Sequence, residues 1–303
     1  MMKNTLSVIN QRLQTAMAIV NDEAPIQVHG DWYLGIDLGT ADIQTMAVDS
    51  TGTPIACFLD WADVVKDGVV VDYVGACDIV AEQIKKVEQR LGTHVTRAVT
   101  SYPPGTDPKI STNVVESCGL EIVAVVDEPS SVAHLLGIND GAVVDVGGGT
   151  TGSAIIHHGA VVTSLDDPTG GRHITLTLSG ANNISVADAE VMKRDHECVN
   201  QVLPVVRPVI EKMADLVKAH LSGADVDDIY LTGGSCSLRG FQSVFQDEFP
   251  DQNVILPDYP IFLTPLAIAS YALISAGVNP AVYSQQEITG IGHAEGEGRH
   301  VNH

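Results

Sequence analysis

Basic residues are scarce in this chain. Sixteen Lys and Arg stand against 38 Asp and Glu, giving a formal net charge of −22 over 303 residues. Duplex nucleic acid is excluded as an expected partner, because gripping phosphates requires a basic face. The acidity is the kind that keeps a protein soluble. Aromatic residues make up 5% of the chain and charged residues 18%, while 45% is hydrophobic. That is ample for packed α/β domains and too apolar for disorder. Long apolar runs are missing, and none approaches the ~20 residues of a membrane span. The N-terminal residues lack the basic, apolar, small-residue order of a secretion signal. The five cysteines, Cys57, Cys77, Cys118, Cys198 and Cys236, form no C-x-x-C pair. Scattered thiols in odd number fit a reducing cytoplasm and no disulfide framework. There is no G-x-x-x-x-G-K-[ST] loop, so a P-loop reading loses its main support.

What the chain does contain is one pattern written twice. Residues 34–49, LGIDLGTADIQTMAVD, and residues 142–156, AVVDVGGGTTGSAII, each run from an apolar strand into Asp-x-Gly and then into a second strand. Such a turn exposes successive backbone N–H groups that can wrap a phosphate. Asp37 and Asp145 end the two strands, where they can hold a hydrated Mg²⁺ between them. Two such turns, about a domain length apart, imply a duplicated fold closing on a nucleotide from both sides.

The surrounding pattern fills in the fold. Leu6, Ile9, Leu13, Met17 and Val20 mark an amphipathic helix over 4–21, expected to pack on the first domain or on a partner. Asp22–Gly30 reads as a linker. Strands are expected at 33–38, 43–49 and 53–60, a helix at 73–91, a strand at 95–101, a helix at 107–118 and a strand at 121–126. A short helix follows Asp127-Glu128-Pro129 and stops at Gly137, with proline and glycine at their favoured ends. The second half repeats the order, with strands at 142–146, 150–157 and 159–165, helices over 171–222, a strand at 228–232, a helix at 236–248, a short strand near 254 and a helix at 264–276. The expected fold is therefore α/β, two β-β-β-α-β-α-β-α domains at 31–138 and 139–279. A helix-and-linker segment, 1–30, precedes them. A disordered tail, 280–303, follows them, and its His293, His300 and His303 have no paired metal-binding spacing.

In motif order the chain resembles the actin-like ATPase superfamily, which includes actin, the MreB and FtsA types, sugar kinases and DnaK-type chaperones. Asp37, Gly39 and Thr40 match its first phosphate loop, and DVGGGTTGSAII, with Gly147, Gly148 and Gly149, its second. DEPSSVAHLLG at 127–137 resembles its connecting helix. Gly170 and Gly171 match its glycine pair, and IYLTGGSCSLRGF, with Gly233, Gly234 and Ser235, its adenosine motif. The resemblance implies a duplicated, ribonuclease H-like ATPase fold that binds ATP or ADP with Mg²⁺. Glu128, with Thr150 or Thr151, would position the attacking water. Glu190 and Lys193 would contact the adenine or ribose.

The departures from that pattern also speak. Residues 53–72 and 195–200 leave little room for the two extra subdomains of actin-like proteins, and no residue, Lys66 included, matches the lysine of DnaK-type chaperones. Over its whole length the chain resembles the J-protein family of ethanolamine-utilisation operons. That family is regarded as chaperone-like and associated with bacterial microcompartments and cobalamin-dependent ammonia-lyase metabolism. The resemblance implies an ATP-hydrolysing chaperone or assembly factor with a protein client or microcompartment component as partner. A nucleotide-binding scaffold of the FtsA or pilus-assembly type remains open, as does a small-molecule kinase.

Overall fold

The computed structural model describes residues 2–66 and 69–277. The expected turn at Asp67-Gly68 and the tail, 280–303, lie outside the described residues.

Chain order begins with helix α1 (Met2–Ile19). Strands β1 (Trp32–Leu38), β2 (Asp42–Asp49) and β3 (Pro54–Trp61) follow as an antiparallel meander. The β2–β3 turn is tight because the Asp49 carboxylate accepts from the N–H groups of Thr51 (2.8 Å) and Thr53 (3.0 Å). The first insertion is reduced to two-residue strands, β4 (Val65–Lys66) and β5 (Val69–Val70). Helix α2 (Tyr73–Leu91) starts where Asp72 accepts from Gly75 N–H and ends at Gly92, whose φ of 65° lets the last carbonyls be capped. Strand β6 (Arg97–Tyr102), helix α3 (Lys109–Ser117) and strand β7 (Glu121–Asp127) complete a sheet of order β3-β2-β1-β6-β7. Helix α4 (Glu128–Leu136) is capped by Asp127 and stops at Gly137, as its sequence requires.

The second half repeats this. Strands β8 (Gly141–Val146), β9 (Thr151–His157) and β10 (Ala160–Asp167) precede helices α5 (Gly171–Asn182), α6 (Val186–Arg194) and α7 (Val199–His220). Then come β11 (Asp228–Thr232), α8 (Phe241–Glu248), β12 (Asn253–Ile255) and α9 (Leu263–Ser275), and the sheet order is β10-β9-β8-β11-β12. Both sheets thus share one topology, with an antiparallel meander on one side and parallel strands on the other. The helix expected at 236–248 is broken: Gly234–Ser237 is a single 3₁₀ turn, and Gly240, at φ 92°, separates it from α8.

Each sheet buries its outer face under its own helices. Val80, Ile84 and Val87 of α2 cover the first, and Val206, Ile210 and Met213 of α7 cover the second. A third apolar layer lies between the sheets. It joins Ile9 and Leu13 of α1, Leu135 of α4, Val143 and Ile156 of the second sheet, and Leu263 and Leu266 of α9. Helix α9 follows the second half in the chain yet packs on β1 of the first. A Cβ placed on Gly35 would collide with the backbone of Ala269, so glycine is what lets helix and strand approach this closely.

Helix α1 is part of this interior. Ile9, Leu13 and Ala16 are fully buried, and the helix rests on β3. The residues after it close the open edge of that strand. Val20 bridges Cys57, Asn21 N–H donates to Cys57 O (2.8 Å), and the Asn21 side-chain amide donates to Leu59 O (3.0 Å) and accepts from Leu59 N–H (2.9 Å). A side-chain amide here does the work of a neighbouring strand, which removes an exposed pairing edge.

Candidate functional site

A cleft of about 310 Å³ opens at the C-terminal ends of β1 and β8. That is the end of a parallel sheet at which α/β folds place ligands. Asp37 of β1 and Asp145 of β8 both line it, as does Glu128, the first residue of α4. The cleft also gathers Gly39, Thr40, Gly147, Gly148, Thr150, Glu190, Lys193, Gly233, Gly234 and Ser235, so most of the residues singled out by sequence meet in one place.

Six carboxylates line this space, among them Glu190, which is paired with Lys193 and Arg194. Asp42, at the start of β2, and Asp166, on β10, join Asp37, Glu128 and Asp145. Burial pushes the Asp37 carboxyl up to about 8, with repulsion from Asp42 and Asp145 adding to it and a 3.3 Å bond from Ser101 opposing it. Burial likewise lifts Asp145 to about 7, aided by Asp166 and Asp42 and opposed by Thr264. Asp42 rises to about 6 through burial, restrained by the Gln44 amide at 2.6 Å and by the charge of Arg194. Glu128 is driven well above the ordinary carboxyl range, by burial first and then by Asp37 and Asp145. Carboxylates crowded in this way are stabilised by a cation.

The donor set fits a hard divalent ion, being all oxygen. Among the described residues no three cleft carboxylates bring ligand atoms within 4.8 Å of one another. That spacing suits a hydrated cation held through its water shell. Gln44 Oε1, on a residue only 3% exposed, finds no partner among the described residues and lies in the same wall. The group of possible metal ligands that does close to this distance, Asp140, His157 and His158, is exposed at the opposite end of β8.

The second glycine loop is held from behind. Gly147 O accepts from Gly171 N–H (2.9 Å) and from Ser235 Oγ (2.7 Å), and Gly148 O accepts from Arg172 N–H (2.8 Å). Gly147 N–H is spent inside the loop on Thr150 O (3.0 Å). A Cβ on Gly170 would lie 2.8 Å from Gly147 O and Thr150 N, and one on Gly171 would lie 2.5 Å from Ser235 Oγ. Gly170 and Gly171 therefore support the loop from behind, and neither they nor Gly149 of the loop line the cleft. Thr151 also points away: it is fully buried and its Oγ1 donates to Thr169 O (2.6 Å). Of the two threonines, Thr150 alone lines the cleft. The run Gly147–Gly152 has the spacing of a dinucleotide-binding turn, but it leads into strand β9 where that motif needs a helix.

Lys193 is committed to neighbours. Its ammonium donates to Glu190 (2.7 Å), to Thr175 Oγ1 (3.0 Å) and to Gly171 O (3.4 Å). Burial lowers its pKa, while Glu190 works the other way. Arg194, one residue on, bonds Glu190 (2.7 Å) and lays its guanidinium 3.5 Å from the centre of the Trp61 ring. Asp42, Trp61, Asp166 and Arg194 were not singled out from the sequence, and no short motif marks them. The nearest signal is Asp42 itself, an acidic residue three positions past Gly39, where the first loop enters β2.

Sequence and fold agree on ancestry. The ethanolamine utilization protein EutJ of Escherichia coli (strain K12) is 49% identical over 262 residues, spanning 86% of this chain and 93% of that protein. The chain belongs to the EutJ family. A crystal structure of EutJ from Carboxydothermus hydrogenoformans superposes with a TM-score of 0.80 at 42% identity, over 86% of this chain and 97% of that one. MreB5 of Spiroplasma citri bound to AMPPNP matches with a TM-score of 0.66 at 17% identity, over 82% of this chain and 98% of that one, which places the EutJ fold among actin-like proteins. Residues 142–276 match the family of the cell division protein FtsA. Among the described residues no helix is long and apolar enough to cross a membrane.

Proposed function

We propose that this EutJ-family protein binds ATP and ADP with Mg²⁺ in the cleft, hydrolyses ATP slowly, and serves ethanolamine utilisation as a chaperone-like or assembly factor. Its place would be the cytoplasm, with a protein client or a microcompartment component as partner. The observation that carries the reading is the meeting of two Asp-x-Gly turns, from two like sheets, over one cleft.

Hydrolysis asks for positioning and charge stabilisation more than covalent chemistry. The backbone at Gly39, Thr40, Gly148 and Thr150 is the part of the cleft suited to holding phosphates. Asp37 and Asp145 would hold a hydrated Mg²⁺, which when bound neutralises phosphate charge. Glu128 would orient the attacking water and accept its proton once ionised, which a cation held by Asp37 and Asp145 would favour by offsetting the repulsion that raises its pKa. Gly233, Gly234, Ser235, Glu190 and Lys193 form the wall suited to the nucleoside. Slow turnover is expected because no lysine of the DnaK type is matched and the insertions are short.

An N-terminal helix packed on a partner would favour the scaffold alternative, but α1 packs on the first half of this chain. Melting curves with ATP, ADP and GTP, with and without Mg²⁺, test the reading. A nucleotide at a hundred times its dissociation constant should stabilise the fold by about 2.7 kcal/mol. No shift with any nucleotide would refute it, phosphate release without an acceptor would argue against a kinase, and binding without phosphate release would leave the scaffold and kinase readings.

A further inference from the structure

Two side chains close the mouth of the cleft from opposite halves, and the proposed chemistry uses neither. Trp61 is the last residue of β3 in the first half, paired in register with Asp42. Arg194 is the last residue of α6 in the second. The guanidinium carbon lies 3.5 Å from the centre of the indole, a stacked cation–π contact. The arginine is aimed by its own half: Glu190, one turn back, takes its Nε at 2.7 Å and its terminal nitrogen at 2.6 Å. Lys193 ties Glu190 to Thr175 of α5, so the arm is braced against the helix that supports the second glycine loop. The tryptophan is still 50% exposed, so the contact is made at the rim where solvent enters.

We infer that Trp61 and Arg194 form a cross-cleft clasp that keeps bound nucleotide from leaving, so that its opening limits exchange. This rests on the proposed nucleotide reading of the cleft. Trp61 ends a strand of the first half and Arg194 a short helix of the second, so the contact joins the two walls at the cleft mouth, apart from the apolar layer that joins the sheets below. Arg194 is a positioning residue: it holds the halves together and touches no reacting atom. Because the clasp must open for nucleotide to enter as well as to leave, its loss speeds association and release alike.

The test has an arm that needs no nucleotide. In Trp32→Phe protein, which leaves Trp61 as the reporter, Arg194→Ala should raise acrylamide quenching of the indole, and Arg194→Lys should restore part of the protection. In the second arm, release of a fluorescent ADP analogue is followed by stopped flow. Arg194→Ala and Trp61→Ala should each speed release about two- to fivefold, the range expected for an exposed cation–π pair. The double variant should be no faster than either single one. Unchanged quenching, unchanged release or additive effects in the double variant each overturn the clasp. If wild-type protein binds no analogue, the nucleotide reading fails, while the quenching arm still decides whether the two halves are clasped.

Discussion

Gly148 and Ala41 touch across the cleft: a Cβ built on the glycine would lie 2.5 Å from the Cβ of the alanine. The two glycine-bearing loops are thus packed against each other as well as around a common space. Any side chain at 148 must push the halves apart. Gly148→Val is expected to abolish measurable ATP affinity in isothermal titration while the protein stays folded. Ala41→Gly in the same chain should recover part of it. Wild-type affinity in Gly148→Val would remove the second loop from the site.

Glu128 should separate binding from chemistry. Glu128→Gln keeps the size of the side chain and removes its basicity. Nucleotide affinity should persist, and single-turnover hydrolysis should fall about 10²- to 10⁴-fold, as for a positioned base. If Glu128 only complements the positive end of α4, its loss costs under about 1 kcal/mol of stability and turnover is unaffected.

The raised carboxyls give a pH signature in metal-free, nucleotide-free protein. Asp37, Asp145 and Asp42 titrate near 8, 7 and 6 when folded against an ordinary 3.8, so folding takes up protons. Their contribution is fully present below about pH 4 and is lost as pH rises through 6 to 8. Asp145→Asn should therefore gain stability relative to wild type between pH 5 and pH 8 in chelator-treated protein, and added Mg²⁺ should shrink that gain. Parallel curves for the two proteins would show that Asp145 is not held under charge strain.

Helix α1 is expected to behave as core. Leu13 is fully buried in the layer between the sheets, so Leu13→Ala should cost about 2–5 kcal/mol in urea unfolding. A helix that merely awaited a partner would tolerate the change within about 0.5 kcal/mol.

Much of this was readable in advance, and the reasons are local. Helix α2 and strand β11 fall on the residues their spacing predicts, since alternation, caps and glycine stops act over a few residues. The loops around Asp37 and Asp145 were found because their pattern occurs twice. Asp42, Trp61, Asp166 and Arg194 stayed hidden because their meaning lies in neighbours far along the chain: Arg194 and Trp61 are joined only once both halves are built. Helix α9 shows the same limit. Ten of its residues are buried, from Leu263 to Leu273, so no apolar stripe says which sheet it serves. The break at Gly240 was equally hidden, because a single glycine only weakens a helix, whereas here the backbone is left-handed at φ 92° and a Cβ would lie 2.5 Å from Leu203.

The return of α9 to β1 also bears on how the chain comes to be made. Domains generally fold as units from the N-terminus while synthesis continues. Here α1 rests on β3 from the start, but the β1 part of that face stays uncovered until residues 263–275 leave the ribosome, because Ile268 and Ala269 supply its cover. The earliest-made half is thus among the last to be finished, and a nascent chain stalled after α4 would carry an open apolar face available to holding factors.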